Sequence, residues 1–356
     1  MDFGVCAITK IDDVGLAVEA ENLGYSDLWV PDSQMIWSDC YAFMALAARA
    51  TRTIRLGTGV SVAGTRTAPV TAHSIATINR LAPGRTFLGI GTGNTAQRLM
   101  GQPPIRYAEF EEYVRVLRGL LDGAEVEYAG PGGERRPIRF DMLDLGFMQI
   151  EPRIPIHVSG FYHRTQRLAG RYGDGLVVSI PPHRDFVTRA RAHAARGAAE
   201  AGRELPAGFR LSSLTTAVVL EPGETLESDR VIRDCGPFVV SSIHYIYEKI
   251  RENGGEPPPH MRGFWKEYCR LVEETPERSR HFRVHAGHCT WLHPDEAEFV
   301  TPDLIRTTCL AGTPDELVES IRHLDEAGLD HVMLLPSLET QRQTIEAFSR
   351  KVMARL

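Results

Sequence analysis

Short apolar runs alternate with amphipathic stretches along the first 121 residues of the chain. The apolar runs predict strands, and the stretches in which apolar residues recur every three or four positions predict helices. The predicted strands in this part are Phe3 to Ile8, Asp27 to Val30, Ile54 to Val60 and Thr86 to Ile90. The predicted helices are Ile11 to Leu23, Asp39 to Thr51, Pro69 to Leu81 and Tyr107 to Leu121. This alternation favours parallel pairing of the strands.

One helix-to-strand joint occurs three times, near both ends of the chain and in its middle. Each copy runs from a helix through a Gly-containing turn into an apolar strand that begins at Asp27, Asp174 or Asp330. A closed ring of strand-helix units would produce such a recurring joint. The residues that follow each strand then form the mouth of the ring, so they are the candidates for a functional site.

The later part of the chain completes this ring and adds two insertions. The remaining predicted strands are Ile156 to Ser159, Leu176 to Ile180, Leu211 to Leu220 and Val332 to Leu335. Residues 122 to 153, rich in Gly and Pro, predict a surface hairpin or loop. Residues 221 to 311 are a long excursion with predicted helices at 228–251 and 261–274, and we interpret it as a candidate lid or substrate wall.

The sequence therefore predicts an α/β fold, a TIM (β/α)8 barrel in one domain over residues 1 to 356. Its largest insertion follows the seventh strand. The last strand-helix unit carries the clearest local signal, because Thr313-Pro314-Asp315-Glu316 predicts a capping box with Pro at the first helical position. A terminal helix is predicted from Glu339 to Leu356.

Composition narrows the classes of function. A hydrophobic fraction of 43% suits a globular protein with a sizeable core, and a net charge of -6 gives no electrostatic reason to bind nucleic acid or an anionic membrane. The amino terminus lacks a basic region before an apolar stretch, so we expect a cytoplasmic protein. The six cysteines form no Cys-x-x-Cys pair, which favours reduced, buried thiols.

The sharpest local motif is a strand that runs into the Gly-rich turn Gly91-Thr92-Gly93-Asn94. Glycines there allow backbone amides to approach a phosphate or a ring, and the Thr hydroxyls add donors. The alternative is a tight βα turn without a ligand. The turn is neither a Walker loop, since no Gly-Lys-Ser/Thr follows, nor the start of a dinucleotide fingerprint.

Two other strand ends carry small residues. Gly57 and Gly59 lie close together in the third strand, which indicates either a bulge or a ligand pressed against the backbone. Ser159 and Gly160 end the fifth strand and are followed by His163 and Arg164. An anion is plausible there because a helix amino terminus would add its amides, whereas the alternative leaves both side chains facing water.

Asp32 and a His-rich segment are the remaining candidates. Asp32 follows the second strand and could act as an acid or base, as an acceptor for a ring, or only as a helix cap. His285, His288, Cys289 and His293 raise a metal hypothesis, but their spacing matches no zinc pattern. A segment of the substrate wall is the favoured interpretation of this cluster.

These turns resemble those of the luciferase-like oxidoreductases, the superfamily of flavin-dependent monooxygenases and deazaflavin-dependent reductases. The matching motifs include Tyr25 to Ser33, Ile54 to Val60, Pro83 to Asn94, Ala169 to Gly175 and Ala311 to Glu316. The resemblance implies a TIM barrel that binds coenzyme F420 or FMN at the strand ends. It also leaves a homodimer open, since dimers are common among relatives.

The resemblance implies a role for each candidate residue. Thr92, Gly93, Ser159 and Gly160 would hold the cofactor phosphate, together with His163 and Arg164, and Gly59-Val60 matches a position that often has a non-prolyl cis peptide behind the ring. Asp32 and Ser33 would lie near the ring, and Asn94 completes the candidate catalytic group. We expect the corners after strands three, four and five to converge on one anionic, ring-bearing small molecule.

Residue differences between this chain and such relatives narrow the mechanism and the class of substrate. Many relatives have a His where this chain has Ser33, which weakens a His-assisted monooxygenase mechanism and slightly favours F420 over FMN. Relatives that act on a sugar phosphate have Glu and Lys where this chain has Asn94 and the Pro181-Pro182-His183 region. We therefore expect hydride transfer between a reduced flavin-type cofactor and a small organic substrate other than a sugar phosphate.

Three alternatives stay open. An FMN-dependent monooxygenase would act on a small organic substrate with molecular oxygen. A metal-dependent barrel hydrolase is more remote, because the first strand has no His-x-His pair. A module that binds the cofactor without turnover would be the alternative outside enzymology.

Overall fold

The computed structural model describes residues 1–130, 133–179 and 183–356. Its strands, in chain order, are β1 Asp2–Cys6, β2 Asp27–Val30, β3 Arg55–Thr58, β4 Ser61–Val62, β5 Thr86–Gly91, β6 Val126–Ala129, β7 Arg135–Ile138, β8 Ile156–Ser159, β9 Gly175–Ser179, β10 Arg210–Thr215, β11 Ala217–Val219, β12 Leu310–Gly312 and β13 His331–Leu334.

The α-helices in the same residues are α1 Gly15–Asn22, α2 Cys40–Ala50, α3 Ala68–Leu81, α4 Thr95–Leu99, α5 Tyr107–Leu121, α6 His163–Tyr172, α7 Arg184–Glu200, α8 Asp229–Asn253, α9 Trp265–Glu273, α10 Arg280–Val284, α11 Pro302–Thr308, α12 Pro314–Glu326 and α13 Gln341–Lys351. Short 3₁₀ turns occur at Leu143–Leu145, Pro259–Met261, Glu277–Ser279, Pro294–Phe299 and Met353–Arg355. None of the helices in the described residues is both long enough and apolar enough to cross a membrane.

Eight parallel strands form the central sheet. Their order is β3, β2, β1, β13, β10, β9, β8 and β5, and β3 also pairs with β5, which closes the ring. β4 is a two-residue strand that adds to β5. A closed parallel ring surrounded by helices is a TIM (β/α)8 barrel, so the predicted fold class is confirmed. The longest span between consecutive barrel strands runs from β10 to β13, where the sequence placed the largest insertion.

Most predicted strands lie within one or two residues of the observed ones, but the seventh is wrong in its extent. The run from Leu211 to Leu220 divides at Thr216 into β10, a barrel strand, and β11, which pairs in parallel with β12 in a separate small sheet. An unbroken apolar run does not reveal where the hydrogen-bonding partner changes. The end of the sixth strand at Ile180 lies outside the described residues.

Three predicted helices have wrong boundaries. Helix α1 begins at Gly15 and not at Ile11, because the residues before it form a turn in which the Asp13 amide donates to the Lys10 carbonyl at 2.9 Å. Helix α9 begins at Trp265 and not at residue 261, and α13 ends at Lys351 and not at Leu356. The capping box is present, since Glu316 accepts from the Thr313 amide at 2.8 Å and Thr313 Oγ1 accepts from the Glu316 amide. The hairpin expected in residues 122 to 153 is the antiparallel pair β6 and β7; Pro131 and Gly132, within the predicted loop, lie outside the described residues.

The chain divides into two compact units. The first comprises Met1–Val178, Asp185–Ser212 and Gly328–His331, and the second is built mainly from Ser213–Ala327 and Val332–Leu356. Strands β10 and β13 therefore contribute residues to both units. That the whole chain acts as a single domain stays a prediction.

The first unit has a tightly packed core at the starts of its strands. Trp29 is fully buried, and its ring meets the edge of the Phe87 ring at a centroid distance of 4.4 Å. Asp27, also fully buried, is held by Arg210 and Arg55, each at 2.9 Å. A buried carboxylate is tolerated when it is paired and hydrogen-bonded.

All six cysteines are free thiols, as the sequence predicted. Five are buried, and Cys269 on α9 is half-buried.

Candidate active site at the strand ends

The carboxyl ends of three barrel strands meet around Gly91, the last residue of β5. A methyl group built on Gly91 would lie 3.0 Å from Cγ2 of Val60 and 3.4 Å from Cβ of Ser159. Val60 follows β3, and Ser159 is the last residue of β8. The corners after the third, fourth and fifth barrel strands therefore lie side by side in the first unit.

The same corners are more open than the strands that lead to them. In β5, for example, every residue from Thr86 to Gly91 is buried. The half-buried positions at or just beyond the strand ends include Gly59, Val60, Thr92, Gly93, Asn94 and Ser159. Small side chains at half-buried positions leave the backbone accessible to a flat ligand.

The turn after β3 has the backbone form that the resemblance implied, because the peptide bond between Gly59 and Val60 is cis. The site also excludes larger side chains. A methyl group on Gly59 would lie 2.7 Å from Cβ of Trp29, and one on Gly89 would lie 2.2 Å from the carbonyl oxygen of Thr58. Glycine is therefore required at both positions by close approach.

The Gly-rich turn after β5 leads into the short helix α4. Gly93 has a φ of +74°, and a methyl group on it would lie 2.4 Å from Cγ1 of Val62. Both features require glycine. Asn94 begins α4 without capping it, and its Oδ1 accepts from Nε of Arg98 at 2.8 Å. This bond fixes the orientation of the amide, so the Asn94 NH2 group is directed away from Arg98.

The turn after β8 leads into the amino terminus of α6. A methyl group on Gly160 would lie 2.3 Å from Oγ1 of Thr165. Helix α6 has no side-chain cap, so its first amides are available to an anion. His163 and Arg164 are exposed in its first turn, and the Arg164 guanidinium stacks on the Tyr107 ring at 4.2 Å from the centroid.

Asp32 lies in a buried hydrogen-bond network, with only 3% of the residue exposed. Oδ1 accepts from Nε2 of Gln34 at 2.5 Å. Oδ2 accepts from Oγ of Ser61 at 3.0 Å, the amide of Val62 at 3.2 Å and Nη1 of Arg66 at 2.5 Å. Both oxygens are thus engaged by the protein, which favours a positioning role over proton transfer.

Ser33 is half-buried in the loop after Asp32. Its carbonyl oxygen accepts from the amides of Ile36 at 3.2 Å and Trp37 at 3.1 Å, so the Ser33 backbone helps to hold this loop. A Ser hydroxyl at a half-buried position can serve as a hydrogen-bond donor to a ligand.

Sequence reasoning missed Arg66, Ser61 and Tyr41. Arg66 binds Asp32 through Nη1 and Asp39 through Nη2 at 2.9 Å, and its guanidinium carbon lies 5.0 Å from the Tyr41 ring centroid. Tyr41 lies on α2, whereas Ser61 and Arg66 follow the corner after β3, and no sequence motif of their own indicates a role in the site.

The metal hypothesis for residues 285 to 293 finds no support in the geometry. His285 pairs with Glu248 at 3.0 Å, and His293 contacts Asp295. No group of three or more His, Cys, Asp or Glu side chains that could hold a metal ion occurs in the described parts of the chain.

Comparison with known proteins identifies relatives along almost the whole chain. The model of the family described as luciferase-like monooxygenase matches residues 9–331. The 5,10-methylenetetrahydromethanopterin reductase of Archaeoglobus fulgidus is 25% identical over 344 residues, which cover 95% of this chain and 93% of the relative. The F420-dependent glucose-6-phosphate dehydrogenase of Nocardia farcinica is 26% identical over 360 residues, covering 96% and 93% respectively.

Solved structures agree on the fold. The coenzyme F420 dependent tetrahydromethanopterin reductase from Methanopyrus kandleri superposes with a TM-score of 0.70 at 22% identity. The match covers 99% of both chains.

Proposed function

The chain belongs to the luciferase-like monooxygenase family, and we propose that it is an oxidoreductase that transfers a hydride between coenzyme F420 and a small organic substrate. Relatives along 95% and 96% of the chain are named as a reductase and as an F420-dependent dehydrogenase, which supports F420 over FMN. The absence of a His beside Asp32 supports the same choice.

The observation that carries the proposal is the meeting of Val60, Gly91 and Ser159 at the half-buried strand ends. A flat ring needs a wall without protruding polar side chains, and Val60 with the neighbouring glycine backbones supplies one. A methyl group on Gly59 would clash with Trp29, and one on Gly93 would clash with Val62, so the backbone at both corners already packs closely against the protein.

The residues beside this wall suit the phosphate of such a cofactor. Ser159 and Thr92 offer hydroxyl donors, and the uncapped amino terminus of α6 offers amides next to Gly160. A helix amino terminus favours an anion through its amides and its dipole. His163 and Arg164 would add positive charge from the first helical turn.

The cofactor would supply the hydride chemistry, and the chain would supply binding, orientation and exclusion of water. The Asn94 amide, fixed by Arg98, can donate to a substrate oxygen on which negative charge develops. Ser33 can donate in the same way. Asp32 would maintain the shape of the site, because its carboxylate is already saturated by four donors.

The substrate we propose is a small organic molecule without a sugar phosphate group. Relatives that act on a sugar phosphate have Glu at the position of Asn94. The neutral Asn94 amide cannot supply the acid group of that Glu. The second position, where those relatives have Lys, corresponds to the Pro181-Pro182-His183 region, of which Pro181 and Pro182 lie outside the described residues. A homodimer and a cytoplasmic location stay predictions.

The family name itself favours one second candidate, an FMN-dependent monooxygenase. In that case the same corners would hold FMN, and the substrate would be oxygenated with molecular oxygen.

Retention of a chromophore tests the proposal. The purified protein is incubated with F420 or FMN, desalted and examined by absorbance, and Ser159→Ala is examined in parallel as the site variant. Retention of F420 by the wild type, and weaker retention by the variant, is the expected result. Retention of FMN alone, with oxygen consumption when the flavin is reduced, would replace the reductase by the monooxygenase. Retention of neither cofactor would overturn both.

A further inference from the structure

A buried ion pair lies directly behind the proposed ring wall. Asp32 and Arg66 approach to 2.5 Å, and their side chains are 2% and 18% exposed. Nη2 of Arg66 also pairs with the carboxylate of the exposed Asp39 at 2.9 Å. The guanidinium therefore joins a buried carboxylate to one at the surface.

The same carboxylate oxygen anchors the chain just after the wall. Oδ2 of Asp32 accepts from Oγ of Ser61 and from the amide of Val62. These two residues immediately follow Val60, whose side chain packs against Gly91. Oγ of Ser61 also lies 3.1 Å from the hydroxyl of Tyr41. The position of Val60 thus depends on the Asp32 carboxylate being held in place.

Arg66 supplies the only full positive charge that the described residues place in contact with Asp32. Burial lowers the pKa of Arg66, but the hydrogen bond and the charge of Asp32 outweigh it, and the net shift is upward. A buried carboxylate that loses its partner is strongly destabilised as an anion. Loss of Arg66 should therefore disturb Asp32 first and the Ser61-Val62 anchor next.

We propose that Arg66 is a positioning residue that acts through Asp32 to hold Ser61 and Val62, and thereby the Val60 wall, in the geometry that binds the cofactor ring. This inference rests on the proposed function. It assigns a role to a side chain that does not itself line the wall.

The other titratable groups around Asp32 stay neutral at ordinary pH. They are the Cys40 thiol and the phenols of Tyr41 and Tyr113, and burial raises the pKa of each. Asp39 and Arg66 are the charged groups that complete this environment. Removal of Arg66 is therefore expected to change cofactor affinity through the unpaired charge of Asp32.

The experiment measures the dissociation constant for F420 at neutral pH, together with the melting temperature, for four proteins. They are the wild type, Arg66→Gln, the double variant Arg66→Gln/Asp32→Asn, and Arg106→Gln as a control. Arg106 forms a surface pair with Glu109 at 2.6 Å in the same unit. The control removes an Arg–carboxylate pair without touching the wall.

Arg66→Gln should weaken F420 binding at least tenfold, because it leaves Asp32 as a buried carboxylate without its partner. The double variant should bind F420 more tightly than Arg66→Gln, since it carries no unpaired buried charge and the oxygen of the introduced amide can still accept from Ser61 and Val62. Arg106→Gln should match the wild type. A merely structural role would lower the melting temperature and leave the F420 affinity of the folded protein unchanged.

The outcomes separate the two proposals. A wild type that binds neither F420 nor FMN would refute the proposed function. A wild type that binds F420, with an Arg66→Gln variant that binds equally well, would refute the inference alone. If Arg66→Gln does not fold, the double variant Arg66→Gln/Asp32→Ala is used, which removes both charges and the anchor for Ser61 and Val62; an F420 affinity equal to that of the wild type would likewise refute the inference.

Discussion

Gly57 in β3 lies directly opposite Phe87 in β5, and a methyl group on Gly57 would stand 2.1 Å from Cε2 of the Phe87 ring. These strands close the barrel. We expect Gly57→Ala to lower the free energy of unfolding by about 1–3 kcal/mol, because overpacking forces side chains or backbone to move.

Chemical denaturation measures this loss, and Phe87→Leu should restore part of it in the double variant. Gly208→Ala is the matched control, because a methyl group on Gly208 meets no atom within 4 Å. A stable Gly57→Ala variant would show that the ring of Phe87 is not fixed in this position.

Ser159→Ala tests the phosphate contact. Loss of one hydrogen bond to a charged group costs about 1.5–3 kcal/mol, or about tenfold to a hundredfold in affinity. We expect the dissociation constant for F420 to rise by that factor while the melting temperature stays within a degree or two of the wild type, since the side chain is only half-buried. Ser74→Ala, at a half-buried position of α3, should change neither quantity. Equal affinity in Ser159→Ala and the wild type would move the phosphate away from this strand end.

Glu21→Gln should destabilise the first unit. The Glu21 carboxylate accepts from the amides of Arg52 at 2.9 Å, Thr53 at 2.6 Å and Ile54 at 2.9 Å, just before β3. Burial raises the pKa of Glu21, but these bonds outweigh it and lower the pKa to about 2. We expect a loss of about 1–2 kcal/mol at neutral pH from the weaker, uncharged acceptor.

The pH dependence of this effect has a definite sign. A carboxyl group with a depressed pKa stabilises the fold above its ordinary value of 4.5, and this stabilisation disappears as the pH falls towards 2. The difference between wild type and Glu21→Gln should therefore shrink in acid. Glu319→Gln, on the exposed side of α12, is the control, and a difference that grows in acid would contradict the assignment.

His288 should make the second unit sensitive to acid. Burial, followed by the charges of His285 and His244, lowers the pKa of His288 from 6.5 to about 3. The folded state therefore holds a neutral imidazole, and stability should fall as the pH drops from 6.5 towards 3, by up to about 1.4 kcal/mol per pH unit.

Thermal melts across this range should show a flatter pH dependence for His288→Asn than for the wild type. An Asn amide packs differently from an imidazole, so the slope and not the melting temperature at pH 7 is the quantity to compare. His73→Asn, on the surface of α3, should leave the slope unchanged. Parallel slopes for His288→Asn and wild type would place the acid-sensitive group elsewhere.

The barrel could be predicted because each of its strands leaves a local signature. Asp27 to Val30 is an apolar run between a Gly turn and a loop, and the observed β2 has the same bounds. The run from Leu211 to Leu220 has an equally clear signature, yet it divides at Thr216 because its partners change there. Pairing partners far away in sequence are not recorded in local periodicity.

The same distinction applies to the candidate site. Gly59, Gly93 and Gly160 could be recognised as candidates in the sequence, because close approach of the backbone at these positions requires glycine. No local sequence feature indicates Arg66, because its partner Asp32 is 34 residues away and the residues around each of them do not specify the pair. The walls of the site could therefore be predicted, whereas the ion pair behind them required the structure.

The burial of the thiols has a practical consequence for handling the protein. Burial and the nearby Glu273 carboxylate raise the pKa of even the half-buried Cys269 to about 11, so little of it is thiolate at neutral pH. The protein should withstand purification in air without forming intermolecular cross-links. A maleimide dye would need alkaline buffer to label α9.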